Sequence, residues 1–236
     1  MKQEKNRQPA FLMEDNHYME EPLAGTTGCF CYELILSKEI FLIPNNSIEM
    51  LWDISRNKFY CFPYIERTTQ LALSGDRLFG IHVDSAYQCS WEEGRAEALL
   101  EQTGRLSSFE ERVVFCNEEV TRGLRLKERH PLVRHAIRQI EETGGRIVVE
   151  GIAEEFGYTP RHLQRLFLKD FSYSPKRFCQ YTRLLNAMSC MIHSPETAIS
   201  SQAESFGYSD PSHFQREFKI YMGMTPKQFL RWYRKE

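Results

Sequence analysis

A chain of 236 residues, 42% hydrophobic and 26% charged, has room for two compact domains or one large one and enough apolar content for a globular fold. No run of about 18 apolar residues occurs, and the charged start at residues 1–8 precedes no apolar stretch of signal-peptide length, so neither a membrane partner nor a secretory leader is expected and the location predicted is cytoplasmic. The net charge of −2 hides a partition: residues 1–124 carry 12 Lys+Arg against 20 Asp+Glu, and residues 125–236 carry 18 against 12. A basic second half of about +6 beside an acidic first half of about −8 predicts a polyanionic partner for the second.

In chain order, residues 26–83 are rich in β-branched and aromatic side chains broken by turn residues. Strands are expected at 29–36, 40–43, 47–54, 58–62, 68–73 and 77–83, separated by Pro44-Asn45-Asn46, Arg56-Asn57, Pro63 and Ser74-Gly75-Asp76. Short strands at close spacing predict a small antiparallel barrel or sandwich. Residues 91–103 and 108–124 have helix-forming composition, and Ser108 and Glu111 stand at capping-box spacing, so two helices should close this first domain. The charged stretch ending at Pro131 marks a boundary, giving a β-rich domain over 1–124 and an all-α domain over 129–236, an α+β chain overall. The helix after Pro131 places Leu132, Val133, Ala136, Ile137 and Ile140 on one face and stops at Thr143-Gly144-Gly145.

The strongest signal is an internal repeat. Ala153-Glu-Glu-Phe-Gly157-Tyr158-Thr159 matches Ala203-Glu-Ser-Phe-Gly207-Tyr208-Ser209 at an offset of 50. After one inserted residue, His162-Leu-Gln-Arg165-Leu-Phe167 matches His213-Phe-Gln-Arg216-Glu-Phe218, and Pro175-Lys176-x-Phe178 matches Pro226-Lys227-x-Phe229, at an offset of 51. Each copy has the parts of a helix-turn-helix. A short apolar helix, 149–156 or 199–206, carries a small Ala for close packing, and Gly157 or Gly207 supplies the positive φ of the turn. Thr159, and Ser209 or Asp210, then cap a second helix that has Pro160 or Pro211 in its first turn. With Leu163 and Phe167, or Phe214 and Phe218, facing inward, the residues left outside are Arg161, His162, Gln164, Arg165 and Lys169 in the first copy and Ser212, His213, Gln215, Arg216 and Lys219 in the second. Arg and Gln can each make two hydrogen bonds to a purine edge, and an exposed helix fits the major groove. Two copies with Gln-Arg at the same place favour this over a merely solvated helix face. Residues 175–192 between the copies form a helix of about 27 Å, against about 34 Å between successive major-groove faces, so one rigid helix can set two recognition helices in adjacent grooves.

These residues resemble the AraC/XylS family of bacterial transcription regulators, in which two helix-turn-helix units are joined by a linker helix. The motif Gly207-Tyr208-Ser209-Asp210, His213-Phe214, Phe218-Lys219 and Gly223-Met224-Thr225-Pro226 carries the resemblance, which spans residues 131–234. It implies double-stranded promoter DNA as partner, base contacts from Arg161, Gln164, Arg165, Ser212, Gln215 and Arg216, regulation of transcription as an activator, contact with RNA polymerase, and a homodimer formed through the helices at 91–103 and 108–124. Two residues depart from the family pattern: Gln202 replaces an aliphatic side chain at the position of Ile152, and Gly151 interrupts a helix. Residues 43–54 and 79–83 are similar to the β-rich sensor-like domain of one branch of the family, which implies modulation by a small-molecule effector or a partner there; the Pro-Gly that usually follows the second segment is absent, a departure from that branch.

Other functions weigh less. Metal catalysis in a cupin-like barrel needs clustered ligands, and only His17 and His82 lie in the β-rich half, so neither enzyme activity nor a metal or other cofactor is expected. A strand His such as His82 is more commonly a hydrogen-bonded core residue. An alkylation-repair protein would need a zinc-bound reactive cysteine, but the seven cysteines, Cys29, Cys31, Cys61, Cys89, Cys116, Cys179 and Cys190, lack C-x-x-C spacing and read as reduced, mostly buried thiols. A third alternative is an effector-independent DNA-binding protein whose first domain only dimerises or contacts polymerase; Trp52, Phe59, Tyr60 and Tyr87 then serve as core instead of lining a pocket.

Overall fold

The computed structural model describes residues 17–35, 40–42, 47–62, 69–71, 77–91, 94–193 and 203–234, and the chain divides after Lys127 into two compact units. In the first unit, strands β1 (His17–Pro22), β2 (Phe30–Ile35), β4 (Ile48–Asp53), β5 (Lys58–Phe62) and β7 (Arg77–Val83) form one antiparallel sheet in the order β1-β2-β7-β4-β5. The short strands β3 (Ile40–Leu42) and β6 (Thr69–Leu71) pair with each other, as do β8 (Tyr87–Cys89) and β9 (Leu124–Leu126). The three inner strands are buried at nearly every position, so the sheet is covered on both faces, as in a sandwich.

The expected barrel is not closed. Among the described residues, β1 and β5 stand at opposite edges with no strand joining them, because β3 and β6 pair with each other instead of extending the sheet. One face packs Cys31, Met50, Trp52, Phe79 and Ile81 against Leu100, Phe109, Cys116 and Val120. Those last residues come from α1 (Arg95–Gly104), α2 (Phe109–Phe115) and the turns that follow α2. The capping box forms as the sequence predicts: Ser108 accepts from the Glu111 amide, and Glu111 accepts from the Ser108 amide. The helix expected to run to 124 changes instead to a π-helical turn at Cys116–Val120 and a 3-10 turn at Thr121–Gly123, then enters β9.

Buried charge locks this unit. Glu33 on β2 accepts from Arg112 Nη1 at 2.6 Å and Arg77 Nε at 2.5 Å, while Arg112 also donates to the carbonyls of Thr103 and Leu106. On the opposite face, β4–β7 register sets Glu49 beside His82, whose Nδ1 lies 2.5 Å from Glu49 Oε1, and Tyr32 donates to Glu49 Oε2 at 3.1 Å. Burial, then the Glu49 charge, pushes the Tyr32 hydroxyl well above the usual phenol range. His82 is thus a hydrogen-bonded core residue. Its partner Glu49 is 33 positions away and comes beside it only through strand register. Trp52 and Tyr87 are buried; Phe59 and Tyr60 are half-buried.

The second unit is helical: α3 (Pro131–Glu142), α4 (Val149–Glu155), α5 (Pro160–Phe171), α6 (Pro175–His193), α7 (Pro211–Met222) and α8 (Pro226–Arg234), with a 3-10 turn at Glu204–Phe206 before α7. On α3, Leu132, Val133, Ala136 and Ile140 are buried and Ile137 half-buried, the face the periodicity predicts. The 19-residue α6 buries side chains on more than one face because it packs both repeats. Phe178 meets Phe167 and Phe171 of α5, and Tyr181 meets Tyr221 of α7. Gln202, the polar departure in the second repeat, lies outside the described residues.

Candidate nucleic-acid interface

Each recognition helix starts with the same local chemistry. Thr159 is the N-cap of α5 and accepts from the His162 amide, Asp210 is the N-cap of α7 and accepts from the His213 amide, and a proline follows each cap. Gly157 and Gly207 take φ of +70° and +83° in the two turns, where an L side chain is strained. The carboxyl of Asp210 is held below the usual carboxylate range, first by the His213 backbone N–H and then by the Ser209 hydroxyl.

With Leu163, Phe167 and Phe171 buried on one side of α5, the side chains of Arg161, Gln164, Arg165 and Lys169 stand exposed on the other. On α7, Ser212, Gln215, Arg216 and Lys219 are likewise exposed. The two histidines differ from the rest. His162 and His213 are half-buried, and each ring serves its neighbours: His162 stacks on Tyr158 with centroids 4.6 Å apart and lies 3.1 Å from Arg165 Nη2 through its Nδ1, while His213 Nδ1 lies 3.1 Å from the Ser209 hydroxyl. His162 therefore orients Arg165. Thr159, Arg161, His162, Gln164, Arg165 and Leu168 line an open concavity of about 590 Å³ along α5. Its rim is cationic and rich in paired donors, the chemistry that suits phosphates and purine edges.

The sequence reading missed the supports beneath these helices. His130 caps α3 by accepting from the Leu132 amide and packs edge-on to both Tyr158 and His162. In the second repeat, Tyr208 is buried where Tyr158 is 39% exposed, and Glu217 on α7 is buried against α6. A signal for Glu217 exists in the repeat itself: at the offset of 51 its counterpart is Leu166.

A family model described as a helix-turn-helix domain matches residues 152–231. The chain is similar to the lactose operon transcription activator of Staphylococcus xylosus, with 31% identity over 98 residues, 41% of this chain and 35% of that protein. It is also similar to the Msm operon regulatory protein of Streptococcus mutans, with 27% identity over 86 residues, 36% of this chain and 31% of that one. The chain thus matches about a third of the length of these curated relatives. Among solved structures, the C-terminal domain of AraT, a response regulator from Geobacillus stearothermophilus, aligns over 44% of this chain and 88% of its own with 26% identity and a TM-score of 0.41. With the repeated caps, turns and exposed helices, the matched region at residues 152–231 is a helix-turn-helix domain of the AraC/XylS type.

Proposed function

We propose that the chain is a sequence-specific DNA-binding transcription regulator that places α5 and α7 in adjacent major grooves on one side of a duplex. The observation that carries this reading is the pair of exposed Gln-Arg steps, Gln164-Arg165 and Gln215-Arg216, at equivalent places on two helices that each start with a side-chain N-cap followed by proline. Arg161, Gln164, Arg165, Ser212, Gln215 and Arg216 read bases, and Lys169 and Lys219 contact phosphate. His162 and His213 position their neighbours. The names of the lactose and Msm operon relatives support a role at promoters and, for the first of them, activation.

The domain from 129 to 236 acts as the DNA-binding part. The acidic part, 1–124, stays off the duplex and senses a small molecule, pairs with a second copy through α1 and α2, or meets RNA polymerase. Its action is cytoplasmic and non-catalytic; among the described residues no helix is long and apolar enough to cross a membrane. The alkylation-repair alternative has little support, because a reactive thiol needs a lowered pKa, whereas burial pushes Cys29 and Cys89 up to about 11 and raises Cys61 as well.

The test is duplex binding by the fragment 129–236, which holds its own apolar faces and the basic charge. Folded fragment should bind promoter DNA with affinity falling steeply as salt rises. A folded fragment that shows no salt-sensitive binding contradicts the reading.

A further inference from the structure

Resting on that DNA-binding reading, we propose that Arg183, Glu217 and Arg146 brace the second recognition helix against the first helix-turn-helix, so that the protein accepts only one spacing between its two half-sites. Arg183 projects from the linker helix α6. Its Nη1 donates to the Gly145 carbonyl at 3.0 Å, in the turn between α3 and α4 of the first repeat, and its Nη2 lies 3.7 Å from Glu217 Oε2 on α7 of the second. One guanidinium therefore touches both repeats. Arg146 makes a second strut from the same turn, donating through Nε to the Thr143 carbonyl at 2.9 Å and through Nη1 to the Ser205 carbonyl at 3.1 Å, in the turn that precedes α7.

Gly207 lies directly under both side chains: a Cβ there would come within 2.6 Å of Arg146 Cγ and 3.2 Å of Arg183 Cδ. The equivalent Gly157 has open space at that point, so the close approach belongs to the second repeat alone. Glu217 is 5% exposed and also accepts from Gln180 Nε2 of α6 at 3.0 Å, while Gln180 Oε1 accepts from Tyr221 one turn further along α7. Two successive turns of α7 are thus held to α6. The helix-turn-helix itself does not demand this carboxylate, because the first repeat has Leu166 at the same place.

The functional consequence follows from helix geometry. Glu217 directly follows Gln215 and Arg216, and neighbouring side chains on a helix differ by about 100° in direction, so holding Glu217 on α6 sets where both reading side chains point. One inserted base pair moves a half-site by about 3.4 Å and turns it by about 34°. A braced α7 cannot follow that displacement. An α7 that met α6 through aromatic packing, as α5 does through Phe167 and Phe171 on Phe178, could adapt to part of it.

The experiment uses the full chain and a 30-base-pair duplex that it selects from a random library, with derivatives carrying one or two base pairs inserted between the half-sites. Wild type should lose on the order of 100-fold in affinity on insertion, the loss of several base contacts at one half-site. The double variant Arg183→Met/Glu217→Leu removes both charges together, which leaves no lone buried ion. With a melting temperature at or near that of wild type, it should bind the selected duplex within about tenfold of wild type and lose less than about tenfold on insertion. The exposed strut variant Arg146→Ala should show the same flattening to a smaller degree, and it decides the matter if the double variant does not fold. Folded variants that keep the wild-type spacing profile overturn the brace while leaving DNA binding intact. Wild type that selects no duplex overturns the DNA-binding reading and the brace with it.

Discussion

The two helix-turn-helix repeats share caps, turn glycines and exposed Gln-Arg steps, yet they are supported differently. The first repeat builds its support locally: Tyr158, His130 and His162 form a small half-exposed aromatic cluster, and Arg165 leans on His162. Both repeats pack aromatic side chains on the linker helix, and the second adds polar contacts to it from Glu217 and Tyr221. On α7, Phe214, Glu217, Phe218, Tyr221 and Met222 are buried, against Leu163, Phe167 and Phe171 on α5. Similar exposed faces can therefore rest on unlike foundations: α5 carries more positive charge on its exposed face, and α7 makes more polar contacts with α6. Among the described residues, α7 thus buries more of its side chains than α5 does.

The widest expected gap between repeats is at the paired tyrosines. Tyr208→Ala removes a ring that is 3% exposed and should cost about 3 kcal/mol of stability, whereas Tyr158→Ala forfeits mainly the stack on His162, about 1 kcal/mol. Chemical denaturation of the two variants checks the order, and equal losses would remove the distinction. Next come the reading arginines. Arg165→Ala should weaken binding by about 1–3 kcal/mol and relax base preference at its half-site, and Arg216→Ala should cost less, because Asp210 and Glu217 on the same helix already lower the local positive potential. Titrations on duplexes with one or the other half-site scrambled decide the ranking, and a larger loss from Arg216→Ala inverts it.

Two smaller effects sharpen the comparison. Gly151→Ala, in the helix α4 of the first repeat, meets nothing within 4 Å and should stabilise by about 1 kcal/mol, seen as a rise in melting temperature. The caps differ in pH response. Because the folded pKa of Asp210 lies below its unfolded value, its contribution is present above about pH 4 and is lost as pH falls through the depressed folded value, whereas Thr159 has no charge to lose. Asp210→Asn should therefore remove a small acid-side slope from urea midpoints measured between about pH 2.5 and 6, and Thr159→Ser should leave that slope in place.

The helical half was readable because its information is local. Caps, prolines and glycines recur within a few residues of the helices they bound, and the repeat supplies an internal control; α5 and the capping box before α2 follow directly. Where partners are distant the sequence is silent. Glu33 meets Arg112 across 79 positions, Glu49 meets His82 across 33, and neither pair has a spacing signature. The edge strand β1 was missed because two glutamates and a proline within His17–Pro22 give it poor strand composition, and it forms by pairing along all of β2. The strand β9 was hidden where the expected helix meets the charged boundary stretch, since helical composition does not reveal the π-helical turn that redirects the chain at Cys116–Val120. At the recognition surface, the exposed residues on α5 and α7 follow from helical periodicity. The supporting roles of His162, His213, Arg183 and Glu217 depend on contacts between helices that periodicity does not carry.

The most direct test of the central claim, two recognition helices reading adjacent major grooves, is guanine-N7 methylation interference on a duplex selected by the full-length protein. Two clusters of interference on one face of the duplex, about one helical turn apart, are the predicted result, with Arg165→Ala erasing one cluster and Arg216→Ala the other. A single cluster, or two clusters that both survive the two substitutions, would contradict it.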